Sequence, residues 1–333
     1  MTVSQPIAPT RPTRKRSPWF EPWFYTVNRA LASVIPIQLG YLISAPIADI
    51  CWALWRSKRE AAQRNYARLL QRPPDDPRVR RLAHESFRHF GRYIVELFHV
   101  QAWSIDRLRH AVDIVGEEHF QEARAYGRGV IFTSAHMGSM EVASSLLLLD
   151  GHRVTSVAEW LRPKLLMDWI VACRERAGVT LLPARGTGRK LLRSLRRNEM
   201  VALVVDLGVD HGIRVPVRFL GHETYFPVAP ARLARMSGAP IIFGLAVRRP
   251  GRRFAAYISA PIFSQGHLDP QEDVRLTTQR IVDEFEKFVR KYPEQWYIFR
   301  DMFLDDDWLH EGARPTGSHP GGQALHAASR RRR

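Results

Sequence analysis

The sequence predicts an α/β fold, with a mostly parallel central sheet flanked by helices and an apolar N-terminal helical segment placed ahead of it. Three observations carry this. From residue 112 onward, short strand-like runs alternate with helix-spaced stretches, punctuated by Gly and Pro, which is the pattern of a parallel sheet covered by crossover helices. Residues 76–103 have apolar side chains at helical spacing. Between Ala30 and Trp55 there is no Lys or Arg and a single acid, Asp49.

Taken in order, residues 1–28 are rich in Pro, Ser and Thr and carry Arg11, Arg14, Lys15 and Arg16, a composition expected of a basic disordered tail. Residues 29–56 are expected to associate with a membrane. A span needs about 20 predominantly apolar residues, so the length suffices. Pro36, Pro46 and Asp49 interrupt a simple span, which leaves spanning and lying on the surface both open, with a core hairpin broken at the prolines as the alternative. Basic residues flank both ends (Arg29 before, Arg56, Lys58 and Arg59 after), so charge gives no orientation. The stretch starts too late and lacks the small-residue cleavage site of a signal peptide.

Residues 57–111 read as an amphipathic helical region. Asp76 is placed to cap, Pro77 suits the first helical position, and Val79, Leu82, Ala83, Phe87, Phe90, Ile94, Leu97 and Phe98 form the apolar face, with His84 and His89 on its polar flank. The core is expected over residues 112–310. Strands fall at VDIV, GVIFTSA, RVTSVAE, VTLL, MVALVVD, PIIFGLAVRR and RFAAYISA, the last two joined by PGR as a hairpin that supplies one antiparallel edge. Helices fall at EEHFQEARAY, SMEVASSLLLLD, PKLLMDWIVACRERA, GRKLLRSLRR, APARLARMS and a long closing stretch from PQEDV to KY. Residues 311–333 end in Arg330 to Arg333 and read as a second basic tail.

Lys and Arg number 50 against 33 Asp and Glu, a net charge of +17. That surplus points to an anionic partner: phospholipid headgroups, a phosphorylated co-substrate, an acidic carrier protein or nucleic acid. No nucleic-acid-binding motif is present, and part of the charge sits in the tails, so no nucleic-acid partner is expected. Cys51 and Cys173 form neither a CxxC pair nor a disulfide framework. The chain has no G-x-S-x-G, no S-x-x-K and no complete P-loop, and the G-x-G at Gly186 and Gly188 has Leu191 where a third glycine belongs, so serine hydrolase, nucleotide hydrolase and dinucleotide-binding readings are disfavoured.

The candidate chemistry gathers at "TSAHMGSMEV", where a buried strand delivers His136 to a turn containing Gly138. Functional groups collect at the carboxyl ends of parallel strands. Ser139 is a natural N-cap, which places Glu141 in the first helical turn, and His136, ahead of the helix, folds back toward it. Bare H-x4-[DE] spacing is uninformative, since roughly 1.3 such matches are expected by chance among 13 histidines, and His267/Glu272 is a second one in a Pro-containing loop. Context separates the two, although a strand-capping histidine and a dipole-complementing glutamate would look the same locally.

"GVIFTSAHMGSMEVA" resembles the "TaHfGnWE" block of the HtrB/LpxL-type lipid acyltransferases, the family that includes lipid A late acyltransferases and phosphatidylinositol mannoside acyltransferases. The likeness continues in order through "SVAEWLRPKLL…LLPARGTGRKLL", "MVALVVDLGVDHGIRVPVRFLGHETYFPVAPARLARMSGAPII" and "YPEQWYIFRDMF", covering roughly residues 60 to 305. Met140, Trp160 and Ala229 depart from the family pattern, where Trp, Arg and Gly are usual.

The resemblance implies a single α/β acyltransferase domain that moves a fatty acyl chain from an acyl thioester, acyl-CoA or acyl carrier protein, to a hydroxyl of a glycolipid or lysophospholipid. His136 is then expected as general base and Glu141 as the carboxylate that fixes its tautomer. Arg185 and Asp206 follow as substrate-binding residues, Glu159 as a contact for acceptor sugar hydroxyls, and the backbone N–H groups near Gly138 as donors to the carbonyl oxygen. Neither a metal nor a resident cofactor is expected. The implied location is the cytoplasmic face of the inner (plasma) membrane, in contact with its lipids.

Overall fold

The computed structural model describes residues 35–148, 151–158, 171–172, 174–175, 178–184, 186–208 and 212–303. The expected tails at 1–28 and 311–333, the residues Glu159 and Arg185, and most of the helix expected over 163–177 lie outside them.

The apolar segment forms one continuous helix, α1 (Ile37–Leu54), with Pro36 at its N-cap and Pro46 inside it, so the prolines do not break it into a hairpin. After α2 (Arg56–Leu70) comes α3 (Pro77–His99), begun as the sequence indicated, with Asp76 accepting the Arg78 N–H and Pro77 at the first position. Small residues let α1 and α3 approach closely. A Cβ on Gly40 would lie 2.6 Å from Val95 Cγ1, and one on Gly91 would lie 3.2 Å from the Ser44 carbonyl oxygen. Asp49 then ties the two helices together, accepting from Arg88 at 2.8 and 3.0 Å and pairing with His84 at 2.7 Å. Only this stripe of α1 is covered. Leu42, Ile43, Ile47, Ile50 and Leu54 are all more than half exposed, and the 18-residue helix is long and apolar enough to cross a membrane by length and composition.

One buried ion pair joins these helices to the sheet. Glu96 of α3 is fully buried and takes Arg248 in two contacts of 2.5 and 2.6 Å, while the Tyr41 hydroxyl of α1 donates to it at 2.6 Å. His89 is buried beside this pair rather than on the polar flank expected for it, with Arg92 and Arg248 within 3.4 Å of its ring nitrogens. Desolvation, reinforced by the Arg248 and Arg92 charges, pulls its pKa down to about 2. Below the ordinary histidine pKa of about 6.5 the unfolded chain therefore binds a proton that the native state refuses, and stability falls with falling pH by about 1.4 kcal/mol per unit. His89→Gln, which has no such proton to gain, should lose about 2 kcal/mol less than wild type between pH 7 and pH 5 in denaturant titrations. An unchanged pH dependence would refute the assignment.

Among the described residues the remaining α-helices, in chain order, are α4 (Ile105–Ala111), α5 (Glu117–Ala125), α6 (Met140–Leu146), α7 (Gly188–Arg196), α8 (Ala229–Ser237) and α9 (Pro270–Lys291). The strands are β1 (Val112–Val115), β2 (Val130–Ser134), β3 (Val154–Ala158), β4 (Val179–Pro183), β5 (Met200–Val204), β6 (Arg214–Phe219), β7 (His222–Pro227), β8 (Ile241–Arg249) and β9 (Arg253–Ile258). Seven of them make one sheet in the order β1-β9-β8-β2-β5-β3-β4. From β8 to β4 all neighbours are parallel; β9 turns back against β8, and β1 joins β9 in parallel. The mixed α/β architecture and the hairpin across PGR agree with the sequence reading, but the reversed edge is two strands wide.

The β6–β7 hairpin is a separate antiparallel pair that the sequence reading left uncalled for strands. Its tip, Leu220-Gly221, has positive φ at both residues, the requirement of a tight hairpin turn that Asn or Gly usually meets, and Pro216 weakens the strand signal before it. Tertiary contacts supply what local sequence withholds. Glu286 of α9 accepts the Leu220 N–H at 2.6 Å, and Phe219 packs among Phe226, Phe285 and Trp296.

Candidate active site

The paired register of β2 and β5 sets Ser134 beside Val204, and the Val205 N–H continues the ladder to the Ser134 carbonyl at 2.9 Å. Two residues further along each strand, His136 and Asp206 therefore emerge side by side at the carboxyl edge of the sheet. Asp206 is fully buried and accepts four contacts. The His136 backbone N–H lies 3.0 and 2.9 Å from its two oxygens, His136 Nδ1 lies 2.9 Å from Oδ1, and Trp296 Nε1 donates to Oδ2 at 3.1 Å. A carboxylate acceptor at Nδ1 places the ring proton there and leaves Nε2 with the basic lone pair. The imidazole keeps 35% of its side-chain surface exposed, against 0% for Asp206.

The carboxylate on Nδ1 is thus Asp206, not Glu141 as expected. Glu141 does enter the first turn of α6, and Ser139 does cap that helix by accepting the Val142 N–H. Once the chain has turned at Gly138, however, Glu141 is buried against Arg174, with Nη2 at 2.5 Å from Oε1. Arg174 also reaches Ser144 Oγ at 3.4 Å. Asp206 comes from the neighbouring strand, 70 residues away, where no local spacing could reveal it.

Gly138 likewise has a different part from the one expected. With φ at +63°, it packs so tightly that a Cβ would run into the Ala246 carbonyl oxygen. Its N–H donates to the Gln295 carbonyl at 2.9 Å, and the Ser139 N–H donates to the Ala246 carbonyl at 2.7 Å. With Met137 N–H on Ala135 and His136 N–H on Asp206, the backbone donors from 136 to 139 are engaged within the protein, so they are not the carbonyl-oxygen donors anticipated there.

Gln295, Trp296 and Tyr297 were not anticipated as site residues. They lie along the His136–Ser139 turn like a short strand: Met137 bridges Trp296 antiparallel, and the Tyr297 N–H donates to the His136 carbonyl at 3.0 Å. The Tyr297 hydroxyl donates to the Gly138 carbonyl at 3.1 Å, and its ring stacks on Tyr93. Burial pushes both phenols well above their ordinary pKa. The only sequence signal for this segment is the "PEQW" stretch within the family resemblance.

A narrow apolar cleft opens beside the site, lined by Phe132, Met140, Ala143, Leu147 and Val154, with Arg174 in its wall. Ser134 and Val204 also line it, each two residues before a member of the His136–Asp206 pair. A second depression, between the β6–β7 hairpin and α9, is bordered by charged side chains such as Arg218, Glu286 and Lys287 and contains none of the site residues.

The family described as bacterial lipid A biosynthesis acyltransferase matches residues 11–305. The chain belongs to that family. It is 30% identical over 257 residues to the phosphatidylinositol mannoside acyltransferase of Mycobacterium tuberculosis (strain CDC 1551 / Oshkosh), covering 74% of this chain and 78% of the relative. It is 28% identical over 251 residues to the phosphatidylinositol mannoside acyltransferase of Mycolicibacterium smegmatis, covering 74% and 80%. It is 22% identical over 288 residues to the lipid A biosynthesis lauroyltransferase of Escherichia coli (strain K12), covering 85% and 88%. The protein is therefore an acyltransferase of lipid or glycolipid biosynthesis. In this acyltransferase the strand-end histidine, the aspartate after β5 and the closing Trp-containing segment meet at one sheet edge around the Asp206 carboxylate.

Proposed function

We propose that this acyltransferase moves a fatty acyl chain from an acyl thioester to a hydroxyl of a glycolipid acceptor at the membrane surface, with His136 as general base. The supporting observation is the half-exposed imidazole whose Nδ1 is tied to the buried Asp206. In the proposed step the acceptor hydroxyl gives its proton to Nε2 while its oxygen attacks the thioester carbonyl. Collapse of the tetrahedral intermediate breaks the C–S bond, and the proton passes from the imidazolium to the departing thiolate. No covalent enzyme intermediate is needed. Asp206 fixes the tautomer and stabilises the imidazolium as it forms. Glu141 stays in the site through Arg174, whose guanidinium in the cleft wall is assigned to the carbonyl oxygen's developing charge. The apolar cleft takes the first part of the acyl chain.

Arg185 is assigned to an anionic part of the donor, acyl-CoA or acyl carrier protein, and Glu159 to acceptor sugar hydroxyls. A mannoside-type acceptor is favoured over lipid A, since identity to the mannoside acyltransferase relatives is 30% and 28% against 22% for the lauroyltransferase. Incubating the purified protein with labelled acyl thioesters and membrane lipid extracts, then identifying acylated products by mass spectrometry, tests the reading. Finding no acylated glycolipid with either donor would end it.

The exposed apolar face of α1 is assigned to the cytoplasmic leaflet of the inner membrane. Asp49 and the small-residue stripe hold α1 along α3, an arrangement suited to lying in the interface rather than spanning alone. Ile43→Glu with Ile47→Glu places two charges on that face, and sedimentation with anionic vesicles should fall by about tenfold or more, each charge costing roughly 1 kcal/mol or more at an interface. Undiminished binding by a folded double variant would rule out this face.

A further inference from the structure

We propose that Trp296 is a positioning residue for acyl transfer, its indole N–H locking the Asp206 carboxylate in the plane from which it holds His136. This rests on the assignment of His136 as base, and it adds a group that the mechanism above does not use. A buried carboxylate gripped through one oxygen can still turn about its Cβ–Cγ bond, and a turn of that kind would swing Oδ1 away from Nδ1. The second oxygen decides whether it does. The His136 backbone N–H, shared between the two oxygens, reaches Oδ2 at 2.9 Å, and Trp296 Nε1 adds the donor that belongs to Oδ2 alone, at 3.1 Å.

The donor itself is immobile. Trp296 is fully buried, and the rings of Tyr66, Phe219 and Phe285 meet it nearly edge-on, with centroids 5.8 to 6.0 Å away. The Tyr66 hydroxyl donates to the Trp296 carbonyl. On either side, the Gln295 carbonyl accepts the Gly138 N–H and the Tyr297 N–H reaches the His136 carbonyl. The Gln295 side chain is in turn clamped on the Arg248 backbone, accepting its N–H at 2.8 Å and donating to its carbonyl at 2.9 Å. One segment thus fixes both the backbone of the catalytic turn and the carboxylate behind the imidazole. A tryptophan serving only as core filler would need its N–H satisfied by any acceptor; here the acceptor is the group that orients the base.

Trp296→Phe keeps the ring and removes the N–H. It should lower kcat on the order of tenfold, as loss of an outer-shell partner of a functional imidazole does, with KM within about twofold. In an Asp206→Asn background the same substitution should change kcat by less than about twofold, because the carboxylate it acts through is gone. An unchanged kcat, or an equal loss in both backgrounds, would overturn the proposal. Retained activity in His136→Ala would instead remove the base assignment itself, so the two failures are distinguishable. Should Trp296→Phe not fold, 15N-tryptophan labelling provides a second readout. Of the nine tryptophans, one indole N–H resonance should move far from its wild-type position in Asp206→Asn, and no displaced indole signal would overturn the proposal.

Discussion

His136→Ala should abolish acyl transfer, and Asp206→Asn should lower kcat by about a hundred- to ten-thousand-fold, roughly 3–5 kcal/mol of transition-state stabilisation, with KM little changed. The size follows from what the two oxygens of Asp206 do. Between them they accept the His136 backbone N–H, Nδ1–H and the Trp296 indole N–H. An amide has one acceptor atom and one NH2 group, so at least one of these donors would face another donor. If the NH2 turns to the ring, the imidazole must accept at Nδ1 and carry its proton on Nε2, which is the wrong tautomer for a base. Glu141→Gln keeps an acceptor for Arg174 and should cost less than Asp206→Asn. Steady-state assays of the three variants decide the matter. A near-normal Asp206→Asn alongside a crippled Glu141→Gln would hand the orienting role back to Glu141.

The second large effect is on stability. Glu96→Ala leaves the Arg248 guanidinium and the Tyr41 hydroxyl without their carboxylate in a fully buried site. Breaking a buried ion pair from one side typically costs about 3–5 kcal/mol, because the surviving charge stays desolvated. Thermal and denaturant unfolding should register that loss, and a change below about 1 kcal/mol would mean that water reaches Arg248. Replacing both partners with apolar residues should be milder than either single change, since no orphaned charge remains.

The strands of the large sheet were legible because each carries its own apolar run and its own stop signal; the PGR turn between β8 and β9 is one example. His136 was legible for the same reason, as a histidine ending a buried strand. The carboxylate that touches its ring was not legible, because H-x4-E spacing is visible in one dimension, whereas the neighbourhood of β2 and β5 is made by crossovers and exists only in the folded sheet. Without that adjacency, the sequence offers Asp206 only as a substrate contact implied by the family resemblance. Gly138 marks a turn in the sequence, but a glycine in a turn does not disclose whether its backbone faces a ligand or, as here, the Ala246 carbonyl. His89 stands between Arg88 and Phe90 on a helix, and Arg248 arriving from β8 packs against its ring in the interior. The β6–β7 hairpin was hidden because its turn relies on α9 rather than on Asn or Gly at Leu220.

Because Asp49, Tyr41 and the Gly40–Ser44 seam bind α1 to α3, the first helix is no detachable leash. A shortened chain beginning at Arg56 would lose a structural wall along with its oily exterior, so solubilising this protein calls for repainting the outward side chains while keeping the inward ones.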